Sequence, residues 1–426
     1  MLDGLSLFLL LLIAALALGL LLREGCFKKP WLAALCAVLV SLALALRASV
    51  FDVETGDYTM FLSAWVSFYR ENGGFLAFAS NPPYCNYHVP YLYFLALFSY
   101  LPVKDLYLIK LLSVFFDVIL AWVSMKLVSL ATKNTALRLG CFFAVLFWPT
   151  VFLNGALWGQ CDSIYVALAL LGLWLALKDR PILSMAMFAF SFGFKLQAIF
   201  VLPVIAVLWF YRKYNWKHLF VFPLAYLLLL LPAILLGRPP INTIFYYFWT
   251  TESAGASLNY NSASVFAIFW DLPEEQQQSA ATVGIAAAFL FLLNLLGIAF
   301  VKRRELTDRS VICLALLMAI GIPFLLPHMH DRYFFPADLL SLVLAFSMWP
   351  FCLTAPLTAF ASFLGYYAYL SFFLSIRGGH FLLPMKYGAY ALIAALALTG
   401  LALAVSFRRK DRPSGGKHAK PKSAKT

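Results

Sequence analysis

The run Leu5–Leu22, LSLFLLLLIAALALGLLL, decides the fold class, because it is long and apolar enough to cross a bilayer as one helix. A hydrocarbon core of roughly 30 Å requires about 20 apolar residues per helix. Similar runs recur along a chain of 426 residues that is 63% hydrophobic and 12% charged, which is more apolar than a water-soluble domain. Helices satisfy their own backbone groups in lipid, so we predict an all-α integral membrane protein whose first run is a retained helix rather than a signal peptide.

Basic clusters fix the predicted orientation, because Lys and Arg concentrate in cytoplasmic loops. The formal charge of +13 lies mainly in such loops and in the tail from Arg408, so binding to nucleic acid is not expected. Keeping every cluster inside places the N-terminus outside and the C-terminus in the cytoplasm. It also yields about 13 spans, over residues 5–22, 31–50, 106–130, 139–157, 161–177, 181–194, 197–211, 218–236, 280–301, 310–326, 333–349, 352–376 and 384–407.

These spans divide the chain into a membrane domain, residues 1–407, and a disordered basic cytoplasmic tail, residues 408–426. Two extracytoplasmic loops are long. In the first, residues 51–105, we predict an amphipathic helix over Asp57–Arg70 and a re-entrant or interfacial helix over Val89–Pro102. The second, residues 237–279, is either a mobile lid or a plain connection. A tight outward turn is predicted at Phe194–Gln197.

The seven cysteines show no spacing typical of a metal site, and most lie in apolar runs as core residues. Only Cys85 and Cys161 fall on predicted outer segments, which allows a disulfide between them without favouring it. No metal site is predicted.

Five polar groups, distant in sequence, all fall on the predicted outer face. Ionisable groups are costly at membrane depth when unpaired, so a shared polar cavity is expected. The groups are Asp52/Glu54/Asp57, Trp158–Asp162, Lys195/Gln197, His328–Tyr333 and Arg377–His380.

Each of these residues has a structural alternative. Asp57 is either a helix cap or a general base, with Asp52 as the second candidate base. His328, His330, Arg332 and Lys195 either extend toward the interface or bind a phosphate. Asp162 is either a cap or a counter-ion for Lys195 and Arg332. Asp117, deep in the bundle, is predicted to be structural. Supporting or substrate-binding roles are assigned to Glu54, Gln160, Asp162, Gln197 and Tyr333.

Four motifs, in this order, resemble the bacterial relatives of the GPI mannosyltransferase II family, which are similar to the GT-C superfamily of membrane glycosyltransferases. They are Gly56-Asp57-Tyr58 with Phe61, Leu62 and Trp65; Trp158–Asp162; Phe194–Gln197; and Pro327–Tyr333.

The resemblance implies a GT-C-like bundle and an inverting transfer of a sugar, mannose being favoured, from a polyprenyl-phosphate donor. Asp57 would be the base, and His328, His330, Arg332 and Lys195 would contact the phosphate. The acceptor would be a hydroxyl of a glycolipid, glycan or protein. The site would face outward from a bacterial inner membrane. No cofactor is required, although a divalent metal would be compatible with this chemistry.

A secondary transporter or a lipid-linked sugar flippase is the alternative. A transporter would place ionisable groups near the midplane of two related halves, and neither feature is evident in the sequence.

Overall fold

The computed structural model describes residues 3–25, 27, 29–251, 257–269, 271–374 and 382–408. Within these residues the chain is almost entirely helical. Its first half contains helices α1 to α10, which are Gly4–Arg23, Pro30–Ala48, Ser63–Glu71, Val89–Phe98, Asp105–Ala131, Thr135–Phe147, Pro149–Phe152, Asp162–Leu177, Pro181–Phe194 and Val204–Phe210.

The second half contains helices α11 to α19 and two short parallel strands, β1 (Asn259–Tyr260) and β2 (Met329–His330). The helices are Trp216–Leu219, Val221–Leu235, Pro240–Ile244, Tyr246–Thr251, Glu274–Val301, Asp308–Leu325, Phe335–Ser347, Thr354–Phe373 and Lys386–Arg408. Single turns of π-helix occupy Tyr58–Leu62 and Leu153–Trp158, and 3₁₀ turns occupy Gly74–Ala79, Leu196–Phe200, Val265–Ala267 and Trp349–Phe351.

Eight of the described helices are long and apolar enough to cross a membrane, and a ninth span is formed if the bent pair Thr135–Phe147 and Pro149–Trp158 counts as one. The all-α membrane fold is therefore supported, but the predicted count of about 13 spans is not confirmed. The difference arises from helices α8, α9 and α17 and the segment Leu196–Phe210, which are apolar but shorter than a full crossing.

The helices differ in how much of their surface is covered. Helices α5 and α16 form the centre of the bundle, since 72% and 83% of their apolar windows are buried, against 22% for α12 and α15. The peripheral helices expose leucine and phenylalanine side chains around their circumference, as expected of surfaces in contact with lipid. Polar side chains are consequently collected where the central helices begin and end.

Helices α3 and α4 lie in the first long loop, for which the sequence predicts an amphipathic helix and a re-entrant or interfacial helix. Helix α3 buries Trp65, Val66 and Tyr69 and exposes Arg70 and Glu71, as an amphipathic helix does. Helix α4, by contrast, buries most of its circumference. The predicted tail 408–426 lies outside the described residues beyond Arg408, and so does the predicted polar group Arg377–His380.

The chain is irregular at the two points that carry the first polar groups. Asp57 directly precedes the π-helical turn Tyr58–Leu62, and the second π-helical turn ends at Trp158 before Gly159, which has a φ of +81°. A left-handed φ is readily adopted only by glycine, and π turns are frequent at functional sites. The helix is interrupted where the outward turn is predicted at Phe194–Gln197, since α9 ends at Phe194 and Lys195 is extended before the 3₁₀ turn Leu196–Phe200.

Candidate functional site

The carboxylate of Asp57 is held by three neutral donors from two other parts of the chain. Trp158 donates from Nε1 over 2.9 Å, Tyr369 donates from its hydroxyl over 2.9 Å, and Gln160 donates from Nε2. Asp57 makes no capping hydrogen bond to its own helix. The side chain is therefore oriented into a shared site rather than used as a cap.

Asp162 pairs with both basic residues of the site. Its Oδ1 forms an ion pair with Nζ of Lys195, and its Oδ2 lies 3.6 Å from Nε of Arg332. The same Oδ2 accepts a hydrogen bond from Asn154 over 2.8 Å. Asp162 makes no capping hydrogen bond although it is the first residue of α8, so the geometry favours the counter-ion interpretation over the cap.

Three carboxylates surround the guanidinium of Arg332 at similar distances. Its Nη1 lies 3.8 Å from Asp57 and 3.9 Å from Asp331, and its Nε lies 3.6 Å from Asp162. All three separations exceed a normal hydrogen bond, and Nε is buried without a partner. The indole of Trp158 lies under the guanidinium, 5.3 Å from its central carbon. Arg332 is thus positioned by attraction to the carboxylates and by the Trp158 ring, while none of the three carboxylates is within hydrogen-bond distance of its N–H groups.

Asp331 is the most perturbed acid of this group. It is buried, and its Oδ1 has no hydrogen-bond partner. Burial, reinforced by the charges of Asp57 and Asp162 and opposed by that of Arg332, raises the pKa of Asp331 to about 7.

The two histidines predicted as phosphate contacts are placed differently. His330 stacks on Tyr260, with ring centroids 4.6 Å apart, and is close enough to Arg332, Lys195 and Asp57 to sense their charges. Burial lowers the pKa of His330 to about 4, so its ring is neutral near pH 7 and offers one N–H rather than a positive charge. It lies at the edge of the cluster.

His328 is tied to the segment before β1. It has a φ of +62°, its backbone N–H donates to Leu258, and its Nδ1 lies 2.7 Å from the carbonyl oxygen of Ser257. No described contact joins His328 to Lys195 or Arg332. The structure therefore brings His330, but not His328, to the basic pair.

Tyr333 and Gln197 contact each other beside the cluster. The Gln197 side chain lies beside the Tyr333 hydroxyl, with its own Oε1 buried and without a hydrogen-bond partner, and the Tyr333 ring lies 5.3 Å from that of His330. Gln160 has a more direct position, because it also accepts a hydrogen bond from Tyr87 over 3.0 Å. Tyr87 in turn lies beneath Nζ of Lys195, 5.5 Å from the ring centre.

Asp52 and Glu54 are not in this cluster. Asp52 is exposed and accepts a hydrogen bond from Tyr107, which lowers its pKa. Glu54 is exposed and pairs with Lys104 over 2.8 Å. Of the acids in the first loop, only Asp57 is within the reach of Arg332.

Asp117 is confirmed as a group that bonds other helices. It accepts hydrogen bonds from Arg47 of α2 over 2.9 Å and from Ser163 of α8 over 2.5 Å. The predicted possibility of a disulfide is wrong, since Cys85 and Cys161 are both free. Within the described residues, no three His, Cys, Asp or Glu side chains are grouped to hold a metal ion.

Several residues of the site were not singled out from the sequence. Tyr369 is the clearest, since it bonds Asp57 and stacks on Trp158 with ring centroids 4.1 Å apart. Tyr366, three positions earlier on α18, accepts a hydrogen bond from Asn154 over 3.1 Å. Two tyrosines at helical spacing in an otherwise apolar span were the available signal. Asp331 was quoted in a motif but given no role.

Comparison with known proteins places part of this site in a recognised domain. Residues 80–211 match the family model described as alpha-(1->6)-mannopyranosyltransferase, N-terminal domain. No curated protein matches the chain significantly. The matched range includes Tyr87, Trp158, Gln160, Asp162 and Lys195, whereas Asp57 and Arg332 lie outside it. The match supports a mannosyltransferase family, though not the GPI mannosyltransferase II family in particular, and with it a glycosyltransferase that acts on a sugar donor and an acceptor.

Proposed function

We propose that the protein is a GT-C type inverting mannosyltransferase, which moves mannose from a polyprenyl-phosphate donor to an acceptor hydroxyl. One observation supports this most directly. A carboxylate that can accept a proton, Asp57, and a guanidinium that can bind phosphate, Arg332, face each other across 3.8 Å. Both are partly open, with side-chain exposures of 22% and 18%, whereas Asp162 behind them is 2% exposed. A substrate can therefore reach the two groups that would perform the chemistry.

Arg332 and Lys195 would hold the donor phosphate. Guanidinium and ammonium groups form charge-assisted hydrogen bonds with phosphate oxygens, and those of Arg332 are not used by any carboxylate at hydrogen-bond distance. Asp162 keeps both basic groups in place in the absence of substrate. His330, which is neutral, would contribute one N–H at the edge of the site. His328 is not part of this proposal.

Asp57 would act as the general base. It takes the proton of the acceptor hydroxyl as that oxygen attacks the anomeric carbon. The bond between the anomeric carbon and the phosphate oxygen breaks on the opposite face, and the polyprenyl phosphate leaves with the electron pair, stabilised by Arg332 and Lys195. Attack opposite the leaving group inverts the anomeric configuration. Phosphate is a good leaving group, so this chemistry requires no metal.

The position of the site at one end of a lipid-embedded bundle fits a donor with a long hydrocarbon chain. The polyprenyl tail would lie against the exposed apolar surface of the peripheral helices. The positive-inside rule places this end on the extracytoplasmic face of a bacterial inner membrane. The acceptor would be a glycolipid, a glycan or a protein.

The proposal is tested with the full-length protein in nanodiscs and radiolabelled polyprenyl-phosphate mannose, glucose and pentose, with membrane lipid extract as the acceptor source. We expect transfer from the mannose donor and a product of inverted configuration by NMR. Transfer of none of the sugars, with movement of intact donor between the leaflets of proteoliposomes, would instead identify a flippase. A retained configuration would exclude Asp57 as a simple base.

A further inference from the structure

A cavity of about 540 Å³ lies beside the loop that reaches the site. It is formed between the segment after the 3₁₀ turn Gly74–Ala79 and helices α13 and α14. Among the described residues, its lining combines one arginine, two asparagines and two aromatic rings and includes no carboxylate. The lining residues are Ala79, Ser80, Asn81, Val89, Arg238, Pro239, Asn242, Thr243, Tyr246 and Trp249.

Of the described residues in this lining, Arg238 alone is charged, and it is buried. Its Nε donates to the carbonyl oxygen of Phe78 over 3.1 Å and its Nη2 to that of Ser80 over 3.0 Å. Neither hydrogen bond uses Nη1. Within the described residues, no carboxylate lies within ion-pair distance of Arg238, unlike Arg332, Arg47 and Lys195. A buried guanidinium without a counter-ion is costly, and an anion in the cavity would relieve that cost.

The surroundings of the cavity indicate the source of such an anion. Ile241, Phe245, Phe248 and Trp249 project apolar surface outward beside it, with exposures of 67%, 49%, 71% and 54%. Large exposed apolar side chains next to a tryptophan are typical of the level where lipid headgroups meet acyl chains. A free phosphate would gain nothing from these side chains, whereas a lipid would bury them.

The cavity is close to the site around Asp57 but separate from it. Val89 lines the cavity, and Tyr87, two residues earlier, bonds Gln160 in the site. The cavity and the site are therefore connected by three consecutive residues, Tyr87, His88 and Val89. The ring nitrogens of His88 lie 3.0 Å from the carbonyl oxygens of Gly193 and Thr243, and Thr243 also lines the cavity.

We propose that this cavity binds the phosphate headgroup of a membrane lipid. Nη1 of Arg238 would contact the phosphate, and the amides of Asn81 and Asn242 would contact the remaining headgroup oxygens. Trp249 would lie at headgroup level and the acyl chains against Phe245 and Phe248. The protein would then hold this lipid phosphate in addition to that of the sugar donor at Arg332. The binding itself does not depend on sugar transfer.

The test uses the purified full-length protein in a neutral detergent and three probes. Dioleoylphosphatidylglycerol has both phosphate and tails, dioleoylglycerol has the tails alone, and glycerol 3-phosphate has the phosphate alone. Binding is measured by native mass spectrometry and by the shift in Tm. We expect the phospholipid to bind and the other two to bind at least about tenfold more weakly. Equal binding of dioleoylglycerol would remove the phosphate from the proposal, and equal binding of glycerol 3-phosphate would remove the lipid.

The Asn242→Asp variant tests whether the lipid binds in this cavity, because it places a carboxylate beside Arg238. Asn242 is exposed, so folding should be unaffected, and the new charge should pair with Arg238 and weaken phospholipid binding by about tenfold or more. Gln278→Glu adds the same charge at an exposed position that does not line the cavity and is the control. Trp249→Ala is matched with Trp216→Ala, since both tryptophans are exposed, by 54% and 61%. Wild-type binding by both cavity variants would overturn the proposal. Asp57→Asn should bind as wild type, even if no transfer is ever detected.

Discussion

Two aspartate–arginine pairs in this protein have the same chemistry and opposite settings. Arg47 and Asp117 are 2.9 Å apart with both side chains fully buried, whereas Arg332 and Asp57 are 3.8 Å apart with exposures of 18% and 22%. Asp117 also accepts a hydrogen bond from Ser163 and lies against Gly155, where a Cβ would be 3.5 Å from its carboxylate oxygens. The first pair is thus inaccessible to a substrate, although Nη2 of Arg47 is buried without a hydrogen-bond partner.

The second pair is more exposed, and neighbouring side chains orient each of its members. Asp57 is oriented by Trp158, Gln160 and Tyr369, and Arg332 by charge at longer range and by the ring of Trp158. The buried pair is in direct contact, whereas the open pair is oriented by neighbouring side chains and leaves the space between its charges accessible, which fits the ligand-binding role that we propose for it.

The largest effect is expected from Asp57→Asn. Removing a general base lowers the transfer rate by about 10²- to 10⁴-fold. Trp158 and Gln160 can still donate to the amide oxygen, and the amide N–H can donate to the Tyr369 hydroxyl, so the fold should be kept. Initial rates with the polyprenyl-phosphate donor and the Tm report the two properties separately. Asp52→Asn is the matched control, because Asp52 is an exposed acid of the same loop outside the cluster. If Asp52→Asn were the more damaging substitution, Asp57 would not be the base.

The buried pair should respond in the opposite way, through stability. Asp117→Ala leaves Arg47 buried and without a counter-ion, and removal of one partner of a buried pair costs about 3–5 kcal/mol. We expect a large fall in Tm and in the yield of folded protein, and a near-normal specific rate in the fraction that folds. The double variant Arg47→Met with Asp117→Leu should recover part of the lost stability. A stable Asp117→Ala protein with no transfer would mean that this pair also belongs to the active site.

A smaller effect is expected from pH, through Asp331. Its folded-state pKa is about 7, above the ordinary 3.8, because it is buried. The raised pKa means that its protonated form stabilises the fold fully below about pH 4, and that this contribution is lost as the pH rises through 7. Above pH 7 the ionised carboxylate competes with the donor phosphate for Arg332. We expect KM for the donor to rise by up to about tenfold between pH 6 and 8, roughly the effect of one pKa unit.

Asp331→Asn separates this effect from other titrations. The amide cannot ionise, so the variant should keep the low donor KM across the same pH range, with little change in kcat at pH 6. His330, with a pKa of about 4, and Arg332 do not titrate in this window. An unchanged pH profile in Asp331→Asn would show that Asp331 is not the titrating group.

The helical class and the clustering of polar groups could be predicted from the sequence, because both follow from local composition. Apolar runs specify membrane helices wherever they occur, and the charges of Asp57, Asp162, Lys195 and Arg332 stand out against them. The sequence alone could not separate short from spanning helices, since burial among neighbours makes α8 and α17 as apolar as a true span. Side chains whose role depends on what faces them were equally out of reach, as with His328, which is held by backbone contacts to residues 257 and 258.

The smallest expected effect tests whether the Tyr369 hydroxyl helps to orient the Asp57 carboxylate. Tyr369→Phe removes the hydroxyl that bonds Asp57 over 2.9 Å but keeps the ring stacked on Trp158. One neutral hydrogen bond contributes about 0.5–1.5 kcal/mol, so we expect a loss in kcat of roughly 2- to 10-fold with an unchanged donor KM. Tyr367→Phe removes a hydroxyl two residues away on the same helix and should have no effect. Because Trp158 and Gln160 still hold the carboxylate, the loss must be far smaller than in Asp57→Asn. An equal loss would show that the Tyr369 hydroxyl itself takes part in proton transfer.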